Sequence, residues 1–147
     1  MKKIVILVLT FASFGVYGQS PVKWSFESKK LDAKTYEVRL TVKLNEDWHI
    51  YSQSTPDGGP IPTAINFSKN PLLDFEGKIT EAGKMEEHFE PLFGVNVKQY
   101  SSKVIFVQKI KLKAAVKTTL NGNVTFMVCN DEECMPPTKE TFSISLK

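Results

Sequence analysis

The chain has 147 residues, 19 Lys and Arg against 16 Asp and Glu, and only two cysteines. Nothing in that charge balance points to a nucleic-acid binder. The length suits one domain with a single core, which does not need several cross-links to stay folded.

Residues 1–18 have the form of a secretory signal peptide. Lys2 and Lys3 give a positive start, Ile4 to Phe14 is apolar apart from Thr10 and Ser13, and Val16-Tyr17-Gly18 ends in a small residue, which predicts cleavage near Gly18-Gln19. The run is too short for a membrane span, and no later stretch approaches the roughly 20 apolar residues a span needs. No cysteine stands near the cleavage point to carry a lipid. The sequence thus predicts an exported, soluble, periplasmic protein with a single domain over residues 19–147.

After the signal the chain reads as β. Val22 to Phe26 alternates apolar and polar residues. Tyr36 to Leu44 alternates without a fault, with Tyr36, Val38, Leu40, Val42 and Leu44 on one side. A period of two marks a strand with one buried face. Shorter candidates are Trp48 to Ser52, Ala64 to Phe67 and Leu73 to Ile79. Val104 to Val116 is longer, and a bulge near Val107 is expected to keep its apolar residues in phase. Val124 to Val128 and Phe142 to Leu146 complete the set. Turn signals separate them: Pro56-Asp-Gly-Gly-Pro60, Asn70-Pro71, Gly77, Gly83, Gly94 and Asn121-Gly122. No segment has a helical period. Many short strands in one domain predict an all-β fold, an immunoglobulin-like antiparallel β-sandwich.

Cys129 closes the strand Val124 to Val128, the polar loop Asn130-Asp131-Glu132-Glu133 follows, and Cys134 leads into Met135-Pro136-Pro137. Outside the cytosol such a pair tends to be oxidised. A four-residue hairpin loop sets its flanking Cα atoms about 4.5–5.5 Å apart, a spacing that a disulfide accepts. Closing so short a loop stabilises by only about 2 kcal/mol, against nearly 5 for a loop of a hundred residues. Pro136 and Pro137 have no backbone donors, so the Cys134 side stays open to a visiting chain. Spacing alone leaves two readings standing, a structural staple and a redox centre. Cys129, Cys134, His49, His88 and the thioethers of Met127 and Met135 are soft enough for copper(I). Their spacing fits no common zinc pattern, however, and neither metal nor cofactor is expected. The acids Glu86, Glu87, Glu90, Asp131, Glu132 and Glu133 would raise the thiol pKa if they gathered around the sulfurs.

Val124 to Lys139 reads Val-Thr-Phe-Met-Val-Cys-Asn-Asp-Glu-Glu-Cys-Met-Pro-Pro-Thr-Lys. This segment resembles the N-terminal periplasmic domain of the thiol–disulfide interchange protein DsbD, also described as a disulfide bond corrector domain. The resemblance extends to Asp47-Trp-His-Ile-Tyr-Ser-Gln53 and Glu90-Pro-Leu-Phe-Gly94, and covers nearly all of residues 19–147. It implies an immunoglobulin-like domain that takes electrons from a membrane thiol carrier and passes them, through transient contacts, to periplasmic thioredoxin-like proteins. Such a domain acts as a protein-disulfide reductase without a cofactor. Its clients would be an isomerase, a cytochrome c maturation factor or a peroxide-reducing thioredoxin.

By position, Cys134 resembles the cysteine that forms mixed disulfides, and Cys129 the one that resolves them. Glu90 to Gly94 resembles a cap loop in which Leu92 or Phe93 shields the disulfide and Gly94 can act as a hinge. Tyr51 and His49 would lie beside the sulfurs. Two departures stand out. The loop between the cysteines has four residues where familiar members have five, and His49 replaces an aromatic hydroxyl. The family's membrane and thioredoxin-like domains have no counterpart in this sequence, so a separate protein is expected to supply the electrons. The rival expectation is a non-enzymatic binding module with a structural disulfide.

Overall fold

The computed structural model describes residues 20–91 and 93–147; the expected signal peptide and the Gly18-Gln19 cleavage point lie outside them. Nine strands follow in order: β1 (Val22–Lys30), β2 (Thr35–Leu44), β3 (His49–Tyr51), β4 (Ala64–Phe67), β5 (Leu73–Glu90), β6 (Val95–Leu112), β7 (Thr118–Phe126), β8 (Val128–Cys129) and β9 (Thr138–Leu146). One sheet runs β1-β2-β6-β3-β8, with β5 also paired to β6; the other runs β4-β7-β9. All pairings are antiparallel. The fold is an immunoglobulin-like β-sandwich.

The alternation in β2 does what its period requires. Tyr36, Val38, Leu40 and Val42 are buried among Phe106, Ile110, Val124 and Leu146. Aromatic rings bridge the sheets, with Trp24 5.3 Å from Phe126 and Phe26 5.1 Å from Phe142 between centroids. Rings at these separations contribute both buried area and favourable edge and face contacts.

Three features depart from expectation, and each bears on the site. First, β5 and β6 are 18 residues each and form one long hairpin. The sequence marked only Leu73 to Ile79 of β5; the rest is mostly exposed on both faces, and backbone pairing to β6 makes it a strand. Second, β6 needs no bulge near Val107. Gln108 takes the inward position, buried, and its Nε2 donates to the carbonyls of Glu76 and Lys109. The register shift falls on the partner strand, between Glu76 and Thr80 of β5. Third, Val124 to Val128 is not one strand. β7 ends at Phe126, and the chain changes sheets at Met127. It resumes as β8, where Val128 pairs with Ile50 and Cys129 with His49. That crossing sets the first cysteine beside β3 and the tip of the β5–β6 hairpin.

Two contacts hold this end in shape. The Glu81 carboxylate on β5 accepts hydrogen bonds from Ser52 Oγ (2.6 Å), the Gln53 amide (2.7 Å) and Tyr100 Oη (2.8 Å), fixing the chain after β3. Burial, then Glu81, pushes the Tyr100 phenol far above its ordinary pKa. Further along, Gly59 packs on Val95 so closely that a Cβ there would come 2.8 Å from the valine methyl, which leaves room only for glycine.

Candidate functional site

The cysteine loop is a tight hairpin. Met135 N donates to the Val128 carbonyl and Asn130 N to the Glu133 carbonyl, each at 2.9 Å. Asn130 Oδ1 also accepts from the amides of Glu132 (2.9 Å) and Glu133 (2.7 Å), so one side chain closes the turn. Cys129 and Cys134 face each other between the two backbone hydrogen bonds. Antiparallel chains approach most closely at such a pair. Their Cα atoms are 4.0 Å apart, nearer than the loop length alone suggested, and a disulfide joins them.

The two cysteines differ in exposure. Cys129 is 2 % exposed, in a small apolar cluster with Tyr51 and Val97, against which Val95 and Met127 pack. Cys134 is exposed. The two prolines that follow lie outside any strand, and β9 resumes only at Thr138.

A cavity of about 250 Å³ adjoins the disulfide. His49, Tyr51, His88, Glu90, Phe93, Gln99, Asn130 and Asp131 line it together with both cysteines. Strand alternation explains the set. His49 and Tyr51 share the face of β3 opposite Ile50, which enters the core. Gln99 lies opposite Tyr51 on β6, and His88 opposite Val97 on β5. Glu90 ends β5, and its carbonyl accepts from the amides of Phe93 (3.2 Å) and Gly94 (2.8 Å). Gly94 adopts φ 68° to close that turn, a conformation glycine takes without cost. Leu92 lies outside the described residues.

His49 Nε2 and Tyr51 Oη are 3.1 Å apart, with the rings edge to face. Burial, reinforced by His88, holds His49 below the ordinary histidine pKa, while Asp131, Glu90 and Glu86 act in the opposite direction. Burial, then Glu90, pushes the Tyr51 phenol up to about 12, so it stays un-ionised at neutral pH. His88 Nε2 and Glu90 Oε2 are 3.8 Å apart, a pair that is ionic when the imidazole is protonated. Among the described residues, no three His, Cys, Asp or Glu side chains are arranged to hold a metal ion.

Of the site residues expected from sequence, Cys129, Cys134, His49, Tyr51, Glu90 and Phe93 meet at one cavity, and Gly94 closes the turn beside it. The acids do not all gather there: Glu90 and Asp131 line the cavity, whereas Glu87 sits on the opposite face of β5 from His88. Gln99 was not foreseen. It is 7 % exposed, and its Oε1 has no hydrogen-bond partner among the described residues. No local signal marks it, because its place depends on the N-terminal half of β6 being a strand.

The family model for the N-terminal domain of the thiol:disulfide interchange protein DsbD matches residues 20–146. No curated protein matches the chain in sequence. Among solved structures it is similar to the N-terminal periplasmic domain of ScsB from Proteus mirabilis, at 18 % identity and a TM-score of 0.56, over 83 % of this chain and 44 % of that one. It therefore spans less than half of the ScsB chain. The reduced DsbD N-terminal domain of Neisseria meningitidis gives 19 % identity and a TM-score of 0.51, over 78 % of this chain and 79 % of that one. The complex between the DsbD and PilB N-terminal domains of Neisseria meningitidis gives 15 % identity and a TM-score of 0.53, over 83 % and 80 % respectively. At these identities the structural likeness establishes the fold.

Proposed function

The chain belongs to the family of the DsbD N-terminal domain, and from that membership we propose that it is a periplasmic thiol–disulfide exchange module working through Cys129 and Cys134. The observation that carries this reading is the unequal exposure of the two cysteines, Cys134 exposed and Cys129 2 % exposed. Thiol–disulfide exchange needs one sulfur that a partner can reach in line and a second that stays close to release it. A purely structural bond across so short a loop would add little to a sandwich with this core.

In the loading direction, a thiolate of a membrane carrier attacks Cys134, and Cys129 leaves and takes up a proton. The carrier's second thiol then displaces Cys134, leaving a dithiol here and a disulfide in the carrier. In the unloading direction, Cys134 attacks the disulfide of a thioredoxin-like partner. Cys129 then attacks Cys134, which regenerates the Cys129–Cys134 bond and frees the partner as a dithiol. The Neisseria DsbD N-terminal domain is known in complex with a domain of another protein, which supports docking of this kind. Glu90, Phe93 and Gly94, with Leu92, would form a cap over the disulfide. A shuttle must release each partner, so the contacts should be small and weak.

Trapping tests the assignment. The Cys129→Ala variant, incubated with an oxidised thioredoxin-like protein, is expected to accumulate a mixed disulfide through Cys134, resolved by non-reducing electrophoresis and mass measurement. Cys134→Ala should trap little. Equal trapping by both variants would remove the assignment of roles to the two cysteines, and trapping by neither would leave the disulfide as a staple.

A further inference from the structure

Cys129 presents a chemical difficulty that Cys134 does not. It sits in an apolar cluster at 2 % exposure, where water cannot readily take its proton. Burial disfavours the thiolate, and so do the carboxylates of Glu90 and Asp131 in the same cavity. Yet the thiolate is the attacking species when Cys129 closes on the mixed disulfide. The proton therefore needs an acceptor inside the cavity.

The structure supplies one. His49 pairs directly with Cys129 across β3 and β8, and paired residues have Cβ atoms about 4.5–5.5 Å apart. Both side chains line the same cavity. Tyr51 Oη lies 3.1 Å from His49 Nε2; with Nε2–H donating a hydrogen bond to that oxygen, Nδ1 keeps a free lone pair. Resting on the exchange reading above, we propose that His49 is the proton carrier for Cys129: it accepts the thiol proton as Cys129 attacks, and delivers it to the departing partner sulfur.

The step balances. The Cys129 S–H proton moves to His49 Nδ1 as the Cys129–Cys134 bond forms. The Cys134–partner bond breaks, its electron pair goes to the partner sulfur, and the proton on His49 neutralises the thiolate so produced. The partner disulfide is the only oxidant. In loading, His49 takes the proton of the incoming carrier thiol as the resulting thiolate attacks Cys134, and passes that proton to the departing Cys129 sulfur.

The charged and titratable neighbours of His49 suit this task. From β5, His88 opposes its protonation while Glu86 and Glu90 favour it; from the cysteine loop Asp131 favours it; from β3 Tyr51 stays a neutral phenol. With burial the dominant influence, the imidazole is neutral at pH 7 and able to accept.

The test follows the reduced protein reacting with 5,5′-dithiobis(2-nitrobenzoate). Attack by Cys134 releases one thionitrobenzoate, and ring closure by Cys129 releases the second, so the second phase isolates the step assigned to His49. In the unaltered protein its rate should be flat from about pH 7 to pH 8. In His49→Phe it should fall at least about tenfold at pH 7, within the usual range for general-base catalysis, and rise with pH as thiolate forms. His49→Gln, which keeps a polar partner for Tyr51, should slow the second phase alike and spare the first. Added imidazole should restore part of the second phase in His49→Ala. An unchanged second phase in His49→Phe and His49→Gln, or equal loss of both phases in both variants, overturns the role of His49. No second release from the unaltered protein would instead remove the exchange reading, and this inference with it.

Discussion

The two halves of β6 serve different ends. From Lys103 to Lys111 the strand pairs with β2 and sends Val104, Phe106 and Ile110 into the core. From Val95 to Ser101 it pairs with the hairpin tip and with short β3, and carries Val97 and Gln99 towards the cysteine cavity. A buried glutamine stands on each half. Gln108 donates to two carbonyls, whereas Gln99 leaves its Oε1 without a partner among the described residues. Most buried polar groups find a partner, and the other one left unmatched among the described residues is Trp24 Nε1, against the main core. The joint lies at Ser102, whose φ of 63° falls where the pairing passes from β2 to β3. Stability and reactivity thus share a strand but not a neighbourhood, so each should be alterable alone.

Phe106→Ala tests the stable half and should have the largest effect. Phe106 is fully buried, and truncating such a residue costs about 3–5 kcal/mol. Urea unfolding should show that loss, while the folded protein keeps its rate of disulfide reduction by dithiothreitol to within about twofold. A reduction rate altered tenfold would mean the halves are coupled.

Phe93→Ala tests the other half. Phe93 is 38 % exposed at the cavity mouth, so a shield and a packing residue make opposite predictions. As a shield, its loss speeds attack by small thiols several-fold and costs less than about 1 kcal/mol. Unchanged reactivity with a loss of several kcal/mol would assign it to packing.

Ser102→Gly addresses the joint and should have the smallest effect. The left-handed conformation costs a residue with a Cβ about 1–2 kcal/mol. Glycine recovers this but gives back roughly 0.5–1 through its freedom in the unfolded chain. A net gain of about half a kcal/mol is expected by urea unfolding, and a loss for Ser102→Val. If both variants lose stability equally, the serine hydroxyl matters there rather than the backbone.

Much of this was present in the amino-acid order. The fault-free period of Tyr36 to Leu44 predicted a strand with one face inside, and the sandwich followed from several such segments. The pair Cys129 and Cys134, the polar loop between them and the two prolines after them pointed to an accessible disulfide. Phe93 and His49 entered through a family resemblance carried by short motifs. What escaped was set by pairing at long range. A period of two reports burial of one face, and β5 is mostly exposed on both, so local order offered only Leu73 to Ile79 as a strand and nothing declared the rest of its 18 residues one. Gln108 broke the apolar pattern because hydrogen bonds to two carbonyls made a polar residue acceptable inside. Met127 looks like the middle of one strand in the sequence. Only the competition between two sheets for its neighbours made it a crossing, with Phe126 kept by β9 and Val128 taken by β3. That crossing brings Cys129 opposite His49, from residues 80 positions apart. Local order can name the reactive residues, because their chemistry is intrinsic; which of them face one another is decided by strand register, and register belongs to the whole fold.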